Sequence, residues 1–308
     1  MGRSARKPAG FRDVDGILLL DKPLGVSSNR ALQQVRFLFQ ANKAGHTGSL
    51  DPLATGMLPI CFGEATKFSG YLIDSDKSYR ADCQLGVTTT TGDTEGDVIE
   101  TCPVKVNQAD IEQVLTQYRG AIEQTPPMYS AIKVKGQRLY KLARQGLEVE
   151  RQSRSITINN LTIVDFKDNL LRIEVGCSKG TYIRTLAEDI GKSLGCGAHL
   201  TGLHRIAVHP FWQSDYHSFE SLTNRASQSL KQIDELLLPI HAALTDYPEV
   251  SICSADVENI KMGRVLTGYE GMVPGLINLM AENVGFMGLA EVNVEGQIKA
   301  KRLMNTSI

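Results

Sequence analysis

A lone carboxylate in a stiff setting is where this chain first offers chemistry. Asp51 lies in GHTGSLDPLATGMLPICFG, residues 45–63, and is followed at once by Pro52. Pro52 biases Asp51 away from the helical region, and Gly45, Gly48 and Gly56 allow close backbone approach. The apolar run Met57–Phe62 behind it reads as a strand. A rigid turn that presents one carboxylate can supply a nucleophile or a proton acceptor. By residue type alone, an Asp-capped Gly/Pro turn is the simpler reading.

Other chemistry-bearing residues are sparser. Six cysteines (Cys61, Cys83, Cys102, Cys177, Cys196, Cys253) are scattered without a CxxC pair or metal-like Cys/His spacing. They read as reduced thiols of a cytoplasmic protein, and no metal site is expected. Asp93 and Asp97 in TTTTGDTEGD lack the ligand spacing of a calcium loop. The net charge of −1 gives no general attraction to polyanions, so nucleic-acid binding would need local asymmetry. One such asymmetry exists: Lys133, Lys135, Arg138, Lys141, Arg144, Arg151 and Arg154 stand against only Glu148 and Glu150. A solvated helical face would look the same.

The elements that must position these residues follow from periodicity. At 308 residues the chain has material for one large domain and a small one. With 42% apolar residues and a mean hydropathy of −0.14 it reads as soluble, and no apolar run approaches the ~20 residues of a membrane span. The segment DGILLLD (15–21) predicts a buried strand, followed by a turn at Pro23 and Gly25 and a helix capped by Ser27 or Ser28. Further strands are expected over 78–87, 155–166, 170–177 and 198–208. Helices are expected over 29–40, 64–72, 107–118, 137–145 and 218–238. Within 178–197, Ile183, Leu186, Ala187, Ile190 and Leu194 form the buried stripe of another helix. After residue 246, short apolar segments with frequent glycines predict a small β-rich module. The fold class is α+β. The expected organisation is a disordered basic tail (1–12), a catalytic domain (13–245) with a basic insertion near 125–154, and a β-rich module (246–308).

Four segments taken together resemble one family. They are GILLLDKPLGVSSN, GHTGSLDPLATGMLPICFGEATK, DKSYRADCQLGVTTTTGDTEGD and CSKGTYIRTLAEDIGKSLGCGAHLTGLHR. In order and separation they are similar to the motifs of the tRNA pseudouridine synthase B (TruB) family, across most of residues 15–210. The resemblance implies a pseudouridine synthase-like catalytic domain with a mixed or antiparallel sheet and flanking helices, plus a PUA-like RNA-binding module. It implies isomerisation of uridine 55 in the T arm of tRNA, without cofactor or metal, by a cytoplasmic monomer with no obligate protein partner.

The resemblance also implies roles. Asp51 is the catalytic aspartate, to which three roles are open: attack at C1′, attack at C6, or assistance in loss of a C2′ proton. Arg184 of the KGTYIR motif is its counter-ion, in a bidentate clamp, and touches the RNA backbone. Tyr79 stacks on the uracil, and its hydroxyl takes or relays a proton. Tyr182 and the backbone of Leu203 line the flipped base, and His46 meets the RNA where that base leaves its stack. Lys22 and Pro23 buttress the Asp loop. The basic run, with Lys133, Lys135, Arg138, Lys141 and Arg144, falls where the family carries a thumb that closes on the T arm. Two other readings fit the same residues: a guide-dependent enzyme acting on ribosomal RNA, and a non-catalytic RNA-binding or chaperone protein. A hydrolase built on Asp51 lacks a second carboxylate or His partner at a known spacing.

Overall fold

In the computed structural model, which describes residues 10–134, 136–269 and 271–305, the apolar runs pair into one large sheet. In chain order the strands before the C-terminal module are β1 (Gly16–Lys22), β2 (Ala44–His46), β3 (Ala54–Phe62), β4 (Lys77–Leu85), β5 (Val87–Thr89), β6 (Val98–Thr101), β7 (Gly120–Gln124), β8 (Lys133–Val134), β9 (Gln137–Arg138), β10 (Arg154–Lys167), β11 (Leu170–Cys177) and β12 (Ala198–Val208). The helices are α1 (Ser28–Leu38), α2 (Ser69–Asp74), α3 (Gln108–Thr116), α4 (Leu139–Ala143), α5 (Ile183–Ser193), α6 (Phe219–Gln228), α7 (Leu230–Asp234) and α8 (Ser254–Lys261). The large sheet runs β1–β3–β12–β4–β11–β10–β7, with β2 also paired to β3. Neighbours are antiparallel except β12 and β3, which run parallel with Leu203 beside Ala54 and Arg205 beside Gly56.

Period-two burial explains why these runs are strands. Leu18 and Leu20 enter one core, while Ile17 and Leu19 enter a second core on the other face. In β4 the inward set is Tyr79, Ala81, Cys83 and Leu85. The first core is closed by Ala31, Leu32 and Val35 of α1, Ile111 and Leu115 of α3, and Ile183, Leu186, Ala187 and Ile190 of α5. Those helical sets repeat at three- and four-residue intervals, as one apolar stripe per helix requires.

The C-terminal module adds β13 (Glu249–Ile252), β14 (Gly275–Ala281), β15 (Gly285–Val292) and β16 (Ile298–Leu303) in a four-stranded sheet, with α8 packed on it. Its Phe286 stacks on Phe68 at 5.6 Å, so the second core is shared with the main domain.

Some segments differ from the periodicity reading, each for a local reason. Residues 64–72 form a 3-10 turn (Gly63–Lys67) and then α2, broken where Phe68 leaves helical geometry and fills the shared core. Residues 218–238 form two helices, because extended Ser229 ends α6 and caps α7 through Gln232. The Thr-rich turn after β4 contains β5, which pairs with β6. Residues 1–9 of the expected tail lie outside the described residues. Arg12 does not behave as tail: it pairs with Asp234 through both terminal nitrogens at 2.6 Å.

Candidate active site

The Asp51 loop is tied at several points to the turn after β1. Gly25 N donates to Pro52 O at 2.8 Å. Ser27 caps α1, which frees the Ser28 hydroxyl to donate to Leu50 O (2.9 Å) and accept from Leu50 N (2.7 Å). Lys22 is fully buried, and its ammonium donates to Pro23 O (2.8 Å) and Val26 O (2.7 Å). Burial pulls the Lys22 pKa down to about 8, with the Asp51 charge opposing. The turn that holds the Asp51 loop is thus itself held from inside by a lysine.

Gly56, at the start of β3, sets the floor. Its φ is +95°, and a β-carbon there would come within 2.3 Å of Arg205 O and 2.9 Å of Arg205 N on β12. Both obstacles are backbone, so neither side can yield cheaply. Gly56→Ala is expected to destabilise the fold by roughly 3 kcal/mol or more, combining overpacking with a left-handed backbone. Urea unfolding checks this, and a change below about 1 kcal/mol would contradict it.

Arg184, in the first turn of α5, joins the loop to the rest. Its side chain is only 7% exposed while that of Asp51 is 48% exposed. Arg184 Nη2 lies 3.1 Å from Asp51 Oδ2 and donates to Tyr129 O at 2.7 Å. Nη1 lies 3.2 Å from Asp93 Oδ2 and donates to Thr91 O at 3.2 Å. The bidentate clamp on Asp51 is therefore replaced by a bridge: one arm takes Asp51, the other takes Asp93. Asp93 is nearly fully buried and also accepts from Thr91 Oγ1 (2.5 Å) and Glu95 N (3.0 Å). A buried guanidinium with four acceptors is well compensated, and it faces the half-exposed Asp51 as a fixed positive charge.

Tyr79 is buried on β4 in register with Arg205 and Val175. Burial pushes its phenol up from the usual tyrosine value, with Arg205 pulling the other way, so the hydroxyl keeps its proton at neutral pH. Arg205 is itself fully buried and donates to Met57 O (2.7 Å) and Gly48 O (3.3 Å), linking β12 to both ends of the Asp loop. Leu203 is half-buried two residues earlier, beside Ala54 and Ala81.

Tyr182 is the N-cap of α5, and Gln124 clasps its backbone from both sides, through Nε2 to Tyr182 O (3.0 Å) and from Tyr182 N to Oε1 (2.7 Å). Arg154 lies over the Tyr182 ring at 5.0 Å. His46, on β2, is half-buried with its Nδ1 buried and unpartnered among the described residues. Burial, with the Arg205 charge second, lowers its pKa, which favours neutral imidazole.

The basic insertion leaves the sheet between β7 and β10, where Gln124 pairs with Arg154. It contains the small β8–β9 hairpin, with Lys133 beside Arg138, and the short helix α4. Lys133, Arg138 and Lys141 line an exposed cleft of about 370 Å³, and Arg144 stacks on Tyr140 at 5.7 Å. Lys135 lies outside the described residues. The root of the insertion reaches Arg184, since Tyr129 O is the carbonyl that Arg184 grips.

Residue-type reasoning misses Asp93, Arg205, Ser28 and Gln124. Asp93 carried a cue, an acid in a Thr/Gly loop, but only the chain path shows that its partner is Arg184. Among the described residues no group of three or more His, Cys, Asp or Glu is placed to hold a metal ion, and no helix is long and apolar enough to cross a membrane.

Comparison with known proteins adds the family. Residues 36–183 match the model of the TruB family pseudouridylate synthase N-terminal domain. Residues 184–245 match the tRNA pseudouridylate synthase B C-terminal domain, and residues 248–304 match the C-terminal domain of pseudouridine synthase II TruB. The chain is 49% identical to tRNA pseudouridine synthase B of Nitrosococcus oceani, over 95% of this chain and 96% of that one. It is 50% identical to tRNA pseudouridine synthase B of Pseudomonas putida GB-1, over 96% and 97%. In fold it is similar to a chain of a Cbf5–Nop10–Gar1 complex, with a TM-score of 0.71, 23% identity, and coverage of 99% of this chain and 91% of that one. With identity sustained over nearly its whole length, the chain belongs to the TruB family of pseudouridine synthases.

Proposed function

We propose that this enzyme converts uridine 55 in the T arm of tRNA to pseudouridine, with Asp51 as the catalytic group. The observation that carries this reading is the unequal exposure of one ion pair: a buried Arg184 holds a half-exposed Asp51 on a braced loop. Arg184 occupies Oδ2, and Oδ1 accepts no hydrogen bond from a described residue.

The reaction breaks C1′–N1 and forms C1′–C5; a proton leaves C5 and one is taken up at N1. It is redox-neutral and needs one group at the sugar–base junction plus a pocket that holds the free base while it turns. Asp51 supplies the group. Tyr79 supplies a protonated hydroxyl and a flat ring, Leu203 an apolar wall, and Tyr182 a second ring set rigidly by Gln124. A stacked T-loop base must first be extruded, at a cost of a few kcal/mol. His46 meets the RNA at that point. Lys133, Lys135, Arg138, Lys141 and Arg144 follow the phosphates, giving a near-neutral chain a local cationic grip. The β-rich C-terminal module extends the RNA surface, and the enzyme works as a cytoplasmic monomer.

The test is to incubate purified protein with unmodified tRNA transcript and map pseudouridine along the chain. One product at position 55, absent from a transcript carrying cytidine there, is the expected result. No product, or product at another position, would overturn the assignment.

A further inference from the structure

Helix α5 carries a second ionisable group one turn beyond Arg184. Glu188 is four residues on, so the two side chains share a helix face. Its carboxyl group rests against Gly92: a β-carbon built there would meet Glu188 Cδ at 2.7 Å and its two oxygens at 2.8 and 2.9 Å. Gly92 also has a φ of +72°, so this approach is available to glycine alone. Gly92 lies between Thr91 and Asp93, the two residues of that loop that Arg184 grips. Glu188, Arg184 and Asp93 therefore converge on one tight turn.

Nothing in the chemistry above uses Glu188. It is half-buried and accepts no hydrogen bond from a described residue, an unusual state for a carboxylate beside a guanidinium. The ionisable groups that act on it are Asp189 and Arg184 on its own helix and Asp93 from the facing loop. Burial is the largest influence; together with Asp189 and Asp93 it outweighs Arg184 and raises the carboxyl to about 7. One guanidinium already serves two carboxylates, and a third can join it within the physiological pH range.

We propose that Glu188 is a positioning residue that tunes RNA binding: neutral, it leaves the Arg184 charge to Asp51 and the incoming phosphodiester, and ionised, it competes for that charge and weakens the RNA complex. The inference rests on reading Asp51 and Arg184 as the RNA-facing centre. The direction follows from the sign. A carboxyl raised in the folded protein is neutral below pH 6 and ionised above pH 8, so RNA affinity falls as pH rises through about 7.

The experiment measures Kd for tRNA transcript by fluorescence anisotropy, and kcat for pseudouridine formation, from pH 6 to 8.5 at constant low ionic strength. In the full-length wild type, Kd is expected to rise roughly threefold to tenfold across this range, the size of one partly screened charge near the RNA. Glu188→Gln is expected to hold the low-pH Kd throughout, and Glu188→Asp to restore a pH-dependent Kd. Asp51 draws on the same guanidinium, so kcat of the wild type is expected to fall over the same pH range and Glu188→Gln to lose that fall. A Glu188→Gln variant that follows the wild-type Kd profile, or binds more weakly at pH 6, would overturn the inference. The two readings fail separately. A wild type that shows the pH-dependent Kd but makes no product sinks the function; one that makes product with a pH profile indifferent to Glu188→Gln sinks only the role of Glu188.

Discussion

Asp51→Asn is expected to abolish pseudouridine formation while leaving the fold and RNA binding in place. Asparagine has the same shape, and the turn depends on backbone contacts at Leu50, Pro52 and Ala54, not on the carboxylate. The Asp51–Arg184 pair is half in solvent on the Asp51 side, so its loss should cost only about 1 kcal/mol of stability. Arg184 keeps its other partners, and the amide oxygen of asparagine can still accept from it. What disappears is the negative charge of the carboxylate. A fall in rate of about 10⁴-fold or more is expected, equivalent to more than about 5 kcal/mol of transition-state stabilisation. Single-turnover release of label from C5 of the uracil reads the chemistry directly, and melting curves monitor the fold. A variant within tenfold of the wild-type rate would remove Asp51 from the mechanism.

The second large effect is expected from Arg184→Met, which removes the cation from between two carboxylates. Asp51 can turn to solvent, but Asp93 cannot, with its side chain only 3% exposed. The variant strands a buried negative charge held only by the Thr91 hydroxyl and the Glu95 amide, and should lose about 3–5 kcal/mol of stability. Activity should fall with it, because Asp51 loses the group that fixes its orientation. Adding Asp93→Asn separates the two losses. In the double variant the stranded charge is gone, so most of the stability returns, while catalysis stays low. A double-mutant cycle by urea unfolding measures the coupling. If Asp93→Asn fails to recover stability in the Arg184→Met background, the bridge is not what holds this loop.

Much of the fold was legible along the chain. The run ILLL of β1, the alternation of β4 and β11, and the apolar stripe of α5 each declare a period of two or of three to four. Each such period admits one way of burying its face. The breaks were less legible, because they answer to distant partners. Phe68 interrupts a helix-compatible stretch to reach Phe286 in another module, and Ser229 ends α6 by capping its successor. Local propensity holds no information about either.

The site divides along the same line. The loop chemistry of Asp51, with Pro52 and its glycines, is local, and Ser27 and Ser28 before α1 already suggested a cap. The separation of their roles, Ser27 capping the helix and Ser28 gripping Leu50, needed the third dimension. Asp93 and Glu188 are ordinary acids until the chain brings one across to Arg184 and packs the other on Gly92. By itself the sequence determined the period of the main buried elements, the Gly/Pro character of the Asp51 turn, and the family to which the whole belongs. Only the tertiary structure decided which charges share one guanidinium. The reason is physical: backbone period and turn geometry act over a few residues, whereas the state of a buried charge depends on every charge folded against it.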